Sequence, residues 1–322
     1  PNEVFNDYIS NVLPQLGEEN MLRTTFGEYM SASLGGDLKK EKYCDMMEYI
    51  LSARDRPTYK QRIANIRYKT SLEFTDVLKR YVSYVEGMNR NFADIVFRGR
   101  LVISGKDLAD LYYRDYRQMP LKRRLGRIRD RILFLLEPYK KERTEEIIDR
   151  LRESDVYIDQ VEVAEKSIGI VKDELKYIYS EIDRITEFDT PGLLCAGADD
   201  GIEDIKAYTL ENLECGQIYY EDQIPLLYLK CTLGDLPVTS SIKYVIIDEA
   251  QDYTPLQIEI FNLLFKSASI TLLGDLDQSI NPFMNVGSFE GVFHIFSRDN
   301  TCMINLTKSY RSTEEITGFS RM

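Results

Sequence analysis

The residues best placed to do chemistry are Asp248 and Glu249. They follow Tyr244-Val245-Ile246-Ile247, a continuous apolar run of the kind that a strand buried on both faces needs. Two carboxylates at the carboxyl end of a buried parallel strand sit where α/β sheets place their ligands. In phosphoryl-transfer chemistry such a pair divides the work: the first carboxylate holds Mg²⁺ through water, and the second orients and deprotonates the attacking water. The plainer alternative is that the pair caps the following helix, whose positive end favours Asp and Glu. Other chemistries find less support. The five cysteines (Cys44, Cys195, Cys215, Cys231, Cys302) are scattered and never in CxxC spacing, and His294 is the only histidine. That pattern argues against a disulfide framework and against a structural metal.

The elements that must position the two carboxylates lie around them. Tyr244–Ala250, Pro255–Phe265 and Ser269–Asp275 read as strand, amphipathic helix and strand, a βαβ signature. Residues 2–13 place Val4, Phe5, Tyr8, Ile9, Val12 and Leu13 at helical spacing, with Pro14 and Gly17 as the stop. From about Ser31 to Thr190 the text changes. Lys42–Asp55, Ser71–Gly87, Lys106–Met119 and Arg143–Asp155 alternate charged and apolar residues at three- and four-residue steps, the mark of surface helices. Among them, Asp94–Ile103 is rich in β-branched residues around a glycine and reads as two short strands or a β-turn. The expected architecture is one α/β domain with a parallel sheet, interrupted by a large, mainly helical insertion. Residues 1–30 and 191–322 form the sheet domain, and residues 31–190 the insertion.

With 322 residues, 43% of them apolar and 29% charged, the chain belongs among ordinary globular proteins. No apolar run suggests a membrane span and no signal peptide opens the sequence, so the expected location is cytoplasmic. A net charge of −12 means that contact with a phosphate backbone would need a local basic stripe. One is present: Lys122, Arg123, Arg124, Arg127, Arg129 and Arg131, of which Arg123, Arg127 and Arg131 share a helical face, preceded by Tyr112, Tyr113 and Tyr116. The alternative is a solvated face paired with acids such as Glu142, Glu145 and Glu146. Pro1 opens the chain inside a helical pattern and Met322 closes it inside another, which reads as an excised piece of a longer protein.

Three stretches in order carry a resemblance. Asp248-Glu249-Ala250-Gln251-Asp252 matches the DEAQD box of UvrD/Rep-like superfamily 1 helicases, Leu272–Ile280 resembles their motif III, and Leu306–Thr313 resembles their motif IV. The resemblance implies a RecA-like P-loop ATPase domain that uses ATP and Mg²⁺. Asp248 would hold the metal, Glu249 would be the catalytic base, and Gln251 would contact the nucleotide. Gln278 would sense the γ-phosphate, and Arg311 would act as an arginine finger, a planar, always-charged group suited to the transferring oxygens. The phosphate-binding GxxxxGK[ST] loop occurs nowhere in the sequence. Ser104-Gly105-Lys106-Asp107 lacks its first glycine and hydroxyl and reads as a helix start. The isolated chain is therefore expected to be inactive, and ATP and Mg²⁺ to be held only with the missing loop. Relatives stack DNA bases on an aromatic pair after motif III. Here Asn281–Asn285 offers only Phe283, as a base platform or a loop anchor, and the chain has no tryptophan. Together with the opening segment, Thr24–Met30 and Tyr219–Lys230, the insertion resembles the HelD-type (helicase IV-like) ATPases, which release RNA polymerase from nucleic acid. RNA polymerase and DNA are thus the expected partners, in a polymerase remodeller or a UvrD-like DNA translocase, with a non-enzymatic binding module as the third possibility.

Overall fold

The computed structural model describes residues 22–35, 39–87, 90–153, 160–186, 203–234, 236, 241–296 and 301–306. Residues 2–13, the Thr190–Gly201 stretch and all of motif IV after Leu306, including Arg311, lie outside them.

Local signals set the element boundaries. Helix α1 (Phe26–Leu34) starts at Thr25, whose hydroxyl accepts the Glu28 N–H while the Glu28 carboxylate accepts the Thr25 N–H at 2.8 Å, a reciprocal cap. After the two-residue strand β1 (Lys39–Lys40) come helices α2 (Tyr43–Ser52) and α4 (Leu72–Gly87), as the periodicity predicts, with α3 (Tyr59–Lys69) between them. Asp94–Ile103 forms an antiparallel hairpin, β2 (Ile95–Phe97) and β3 (Arg100–Ile103). Its two-residue turn, Arg98-Gly99, has positive φ at both positions, the hairpin geometry that matches strand twist. Ser104 then caps α5 (Gly105–Asp110), accepting the Asp107 N–H at 3.1 Å, so the GKD look-alike is a helix start. A Cβ at Gly105 would come within 2.1 Å of the Phe92 carbonyl oxygen, which excludes any other residue there.

Two long helices follow, α6 (Leu121–Glu153) and α7 (Gln160–Thr186). Arg129 pairs with Asp183 at 2.5 Å and the Arg143 guanidinium forks onto Glu174 at 2.6 and 2.9 Å. Advancing along α6 thus retreats along α7, and the two form an antiparallel hairpin. Helix α8 (Glu203–Glu214) leads to β4 (Gln217–Ile218), which pairs in parallel with β1.

Helix α9 (Tyr220–Leu233) is buried on nearly every side, including Glu221 and Asp222. Its carboxylates meet cations from α3. Arg62 donates to Glu221 at 3.2 and 3.3 Å and to Glu41 at 2.5 Å, between the rings of Tyr49 and Tyr219, while Lys69 pairs with Asp222 and donates to Thr209. Burial pushes the Glu221 carboxyl up from the usual carboxylate range, against the opposing pull of Arg62. Lys79 of α4 pairs with Glu259 of α10 (Pro255–Leu264), and Phe26 packs edge-on against Phe261. Helices α1, α3 and α4 therefore share one hydrophobic core with α9 and α10.

The predicted βαβ unit is present as β5 (Tyr244–Ile247), α10 and β6 (Ser269–Leu272). The strands pair in parallel with Tyr244 opposite Ser269 and Ile247 opposite Leu272. Tyr244 and Ile246 are exposed, 76% and 69%, whereas a strand buried on both faces was expected. Among the described residues β5 has β6 as its single neighbour and only one covered face.

Candidate functional site

The carboxyl ends of β5 and β6 form a bracket. Leu273 N–H donates to the Ile247 carbonyl at 2.9 Å and Ala250 N–H to the Leu273 carbonyl at 2.8 Å, which carries the parallel pairing past the strand ends into both loops. Asp248 and Glu249 leave β5 there and are exposed. Asp248 Oδ1 accepts the Glu249 N–H at 3.0 Å. Glu249 itself has φ 51 and ψ 42, a left-handed conformation that a residue with a Cβ adopts at a cost. Such strain gathers where the surrounding structure fixes a functional side chain.

What fixes it is Gln251. This residue is 1% exposed, in the short turn Ala250–Asp252. Its Nε2 donates to Glu249 Oε2 at 2.6 Å and its Oε1 accepts the Asp275 N–H at 3.0 Å. Gln251, for which the resemblance implies a nucleotide contact, lies buried beneath the carboxylates with both polar atoms of its side chain bonded within the bracket. Asp252 adds a second tie, accepting from Ser279 Oγ and Ile280 N at 3.4 Å. A Cβ on Gly274 would lie 2.7 Å from Gln251 Oε1 and 2.8 Å from the Phe289 ring, so only glycine lets the second loop approach.

Gln278 is exposed and its Nε2 donates to Asp275 Oδ2 at 2.8 Å, while Asp275 Oδ1 accepts the Asp277 N–H at 3.1 Å. Asp275 was not among the residues read from the sequence as functional; its place directly after the glycine that the close approach requires was the available signal. Asp248, Glu249, Gln251 and Gln278 are thus brought together. Four other candidates stand apart. Phe283 is half-buried, with the Arg67 guanidinium 4.8 Å from its ring centre and its carbonyl accepting the Thr70 hydroxyl at 3.0 Å. Asn281 pins that loop by accepting the Phe283 and Met284 N–H groups, both at 3.0 Å. Arg123, Arg127 and Arg131 lie on the exposed face of α6 and form no ion pair among the described residues, whereas Arg124 turns inward onto the Arg117 and Met119 carbonyls at 2.7 and 2.9 Å.

Among the described residues no group of three or more His, Cys, Asp or Glu side chains forms a metal cage. An exposed Asp248 with one oxygen engaged by a backbone amide fits a hard cation that takes one or two protein carboxylates and fills its shell with water and phosphate oxygens. No helix among the described residues is long and apolar enough to cross a membrane.

Residues 231–286 match the family model for the UvrD/REP helicase N-terminal domain. The matched stretch holds the whole bracket, from β5 through α10 and β6 to the Asn281 loop, and this part of the chain is similar to that domain. No curated protein matches the chain.

Proposed function

We propose that the chain is part of the N-terminal, RecA-like motor domain of a UvrD-like ATP-driven helicase, with Asp248 and Glu249 at its hydrolytic centre. The observation that carries this reading is the bracket itself: two exposed carboxylates where two parallel strands end, held against the loop that bears Gln278. Asp248 would hold Mg²⁺ through water. When bound, the metal would neutralise charge on the nucleotide phosphates. Glu249 would orient a water and take its proton, Gln278 would sense the γ-phosphate, and Arg311 would reach the same phosphate. These 322 residues contain no GxxxxGK[ST], so ATP would be held only where the full-length protein supplies that loop. The isolated chain should therefore neither bind nor hydrolyse ATP. Micromolar affinity in calorimetry would contradict this. In the full-length protein Glu249→Gln should keep ATP binding and abolish turnover, because the amide retains the shape but accepts no proton; wild-type turnover would remove Glu249 from the base role.

For the biological role we favour a HelD-type remodeller that spends ATP to release RNA polymerase from nucleic acid. The support is the α6–α7 hairpin, 33 and 27 residues long, or roughly 50 and 40 Å, which exposes Phe134, Val161, Ile168 and Tyr177. Apolar side chains on a long hairpin suit a protein partner. The exposed arginines Arg123, Arg127 and Arg131 favour the second reading, a DNA translocase. Capture of RNA polymerase subunits by the full-length protein would support the first, and DNA binding without polymerase the second.

A further inference from the structure

We propose that Gln251 is a positioning residue that couples the Glu249 carboxylate to the loop of Asp275 and Gln278. The inference rests on the reading of Glu249 as the base.

The order of donor and acceptor in the Gln251 amide is forced. A carboxylate only accepts and a backbone N–H only donates, so Nε2 must face Glu249 and Oε1 must face Asp275. Glutamate in its place could accept from Asp275 but would set two carboxylates together, and a shorter or apolar side chain would lose both bonds. The residue also holds its surroundings through its backbone, because its carbonyl accepts the Val286 N–H at 3.0 Å. Closed in beside Gly274, it has no exposed surface with which to meet a ligand. What remains is a continuous run of side-chain and backbone bonds. Gln278 Nε2 holds Asp275 Oδ2 at 2.8 Å, Asp275 N–H holds Gln251 Oε1 at 3.0 Å, and Gln251 Nε2 holds Glu249 Oε2 at 2.6 Å. A shift of the Gln278 loop must therefore either move the Glu249 carboxylate or break one of these bonds.

The test uses the full-length protein with Gln251→Ala, Gln251→Glu, Gly274→Ala and, as reference, Glu249→Gln. Each Gln251 variant should lower kcat about 10-fold or more because the base is misaimed, while nucleotide affinity stays within two-fold of wild type because Asp252 still ties the Gln278 loop through Ser279 and Ile280. Gly274→Ala should give the same split with no functional group removed. Amide exchange supplies a readout independent of turnover. The Asp275 N–H should exchange at least 10-fold faster in Gln251→Ala and stay protected in Gln251→Glu, which keeps the acceptor. If Gln251→Ala does not fold, the other two variants decide. A kcat within two-fold of wild type in Gln251→Glu and Gly274→Ala would overturn the coupling role. So would a loss of nucleotide affinity at unchanged kcat, which would make Gln251 a nucleotide contact. If Glu249→Gln turns over normally, the reading of the base fails instead.

Discussion

At Glu249 the backbone and the side chain make opposite demands. The carboxylate is aimed by Gln251, but its residue sits at φ 51, where a Cβ costs about 1–2 kcal/mol. Glu249→Gly and Glu249→Ala both lose the bond to Gln251, so comparing them isolates the strain. The glycine variant should be more stable than the alanine variant by about 1 kcal/mol in urea denaturation, and equal stabilities would show that the turn relaxes. Arg311 tests the other side of the reaction. Its replacement by alanine in the full-length protein should lower kcat about 10³-fold if it is a finger, and by less than two-fold if it only pairs with Glu314 or Glu315. The carboxylates were legible from the apolar strand before them. The role of Gln251 was not, because it depends on the Asp275 amide, 24 residues away in sequence, and on the missing Cβ of Gly274.

Helical periodicity in residues 42–55 and 71–87 was read correctly as helices, since i, i+3 and i+4 spacing is a local property; the helix Tyr59–Lys69 between them was not singled out. Where those helices pack is not local. Arg62 and Lys69 find their carboxylates 159 and 153 residues later, on α9. Only the two adjacent acids at the start of a helix whose next turns are largely apolar hinted that cations must come from elsewhere. The arrangement predicts an asymmetric response to mutation. Arg62→Ala leaves Glu221 buried, and the half-buried Glu41 beside it, without their cation and should cost about 3–5 kcal/mol in a denaturation midpoint analysis. Arg127→Ala, on an exposed face with no ion pair among the described residues, should cost less than about 0.5 kcal/mol. A small effect at Arg62 would mean that water reaches the pair.

For the whole molecule, the packing bears on where an insertion could be cut out. A boundary at residues 31–190 was expected from the change in sequence texture. Removing that entire segment would strip Glu221, Asp222 and Glu259 of Arg62, Lys69 and Lys79, and take away much of the core around α9. We therefore propose that the separable arm is narrower, residues 91–186, comprising the β2–β3 hairpin, α5, α6 and α7. Its two ends meet already, with Arg90 Nη1 donating to the Ile185 carbonyl at 3.1 Å, so a short Gly/Ser linker could join them at little closure cost. The junction is not clean: α6 begins with Leu121 and Leu125 fully buried, and a Cβ at Gly234, the end of α9, would lie 2.5 Å from the Pro120 side chain. Some apolar surface is thus exposed by the cut, and a lower melting temperature is expected. The prediction is that in the full-length protein the 91–186 deletion melts cooperatively, keeps basal ATPase within a few-fold and no longer captures RNA polymerase, whereas the 31–190 deletion fails to fold. Polymerase capture that survives the narrower deletion would remove the hairpin as the partner-binding element. Loss of ATPase in a deletion that still melts cooperatively would make the hairpin part of the motor, coupled to the bracket through α9 and the core that α9 shares with α10.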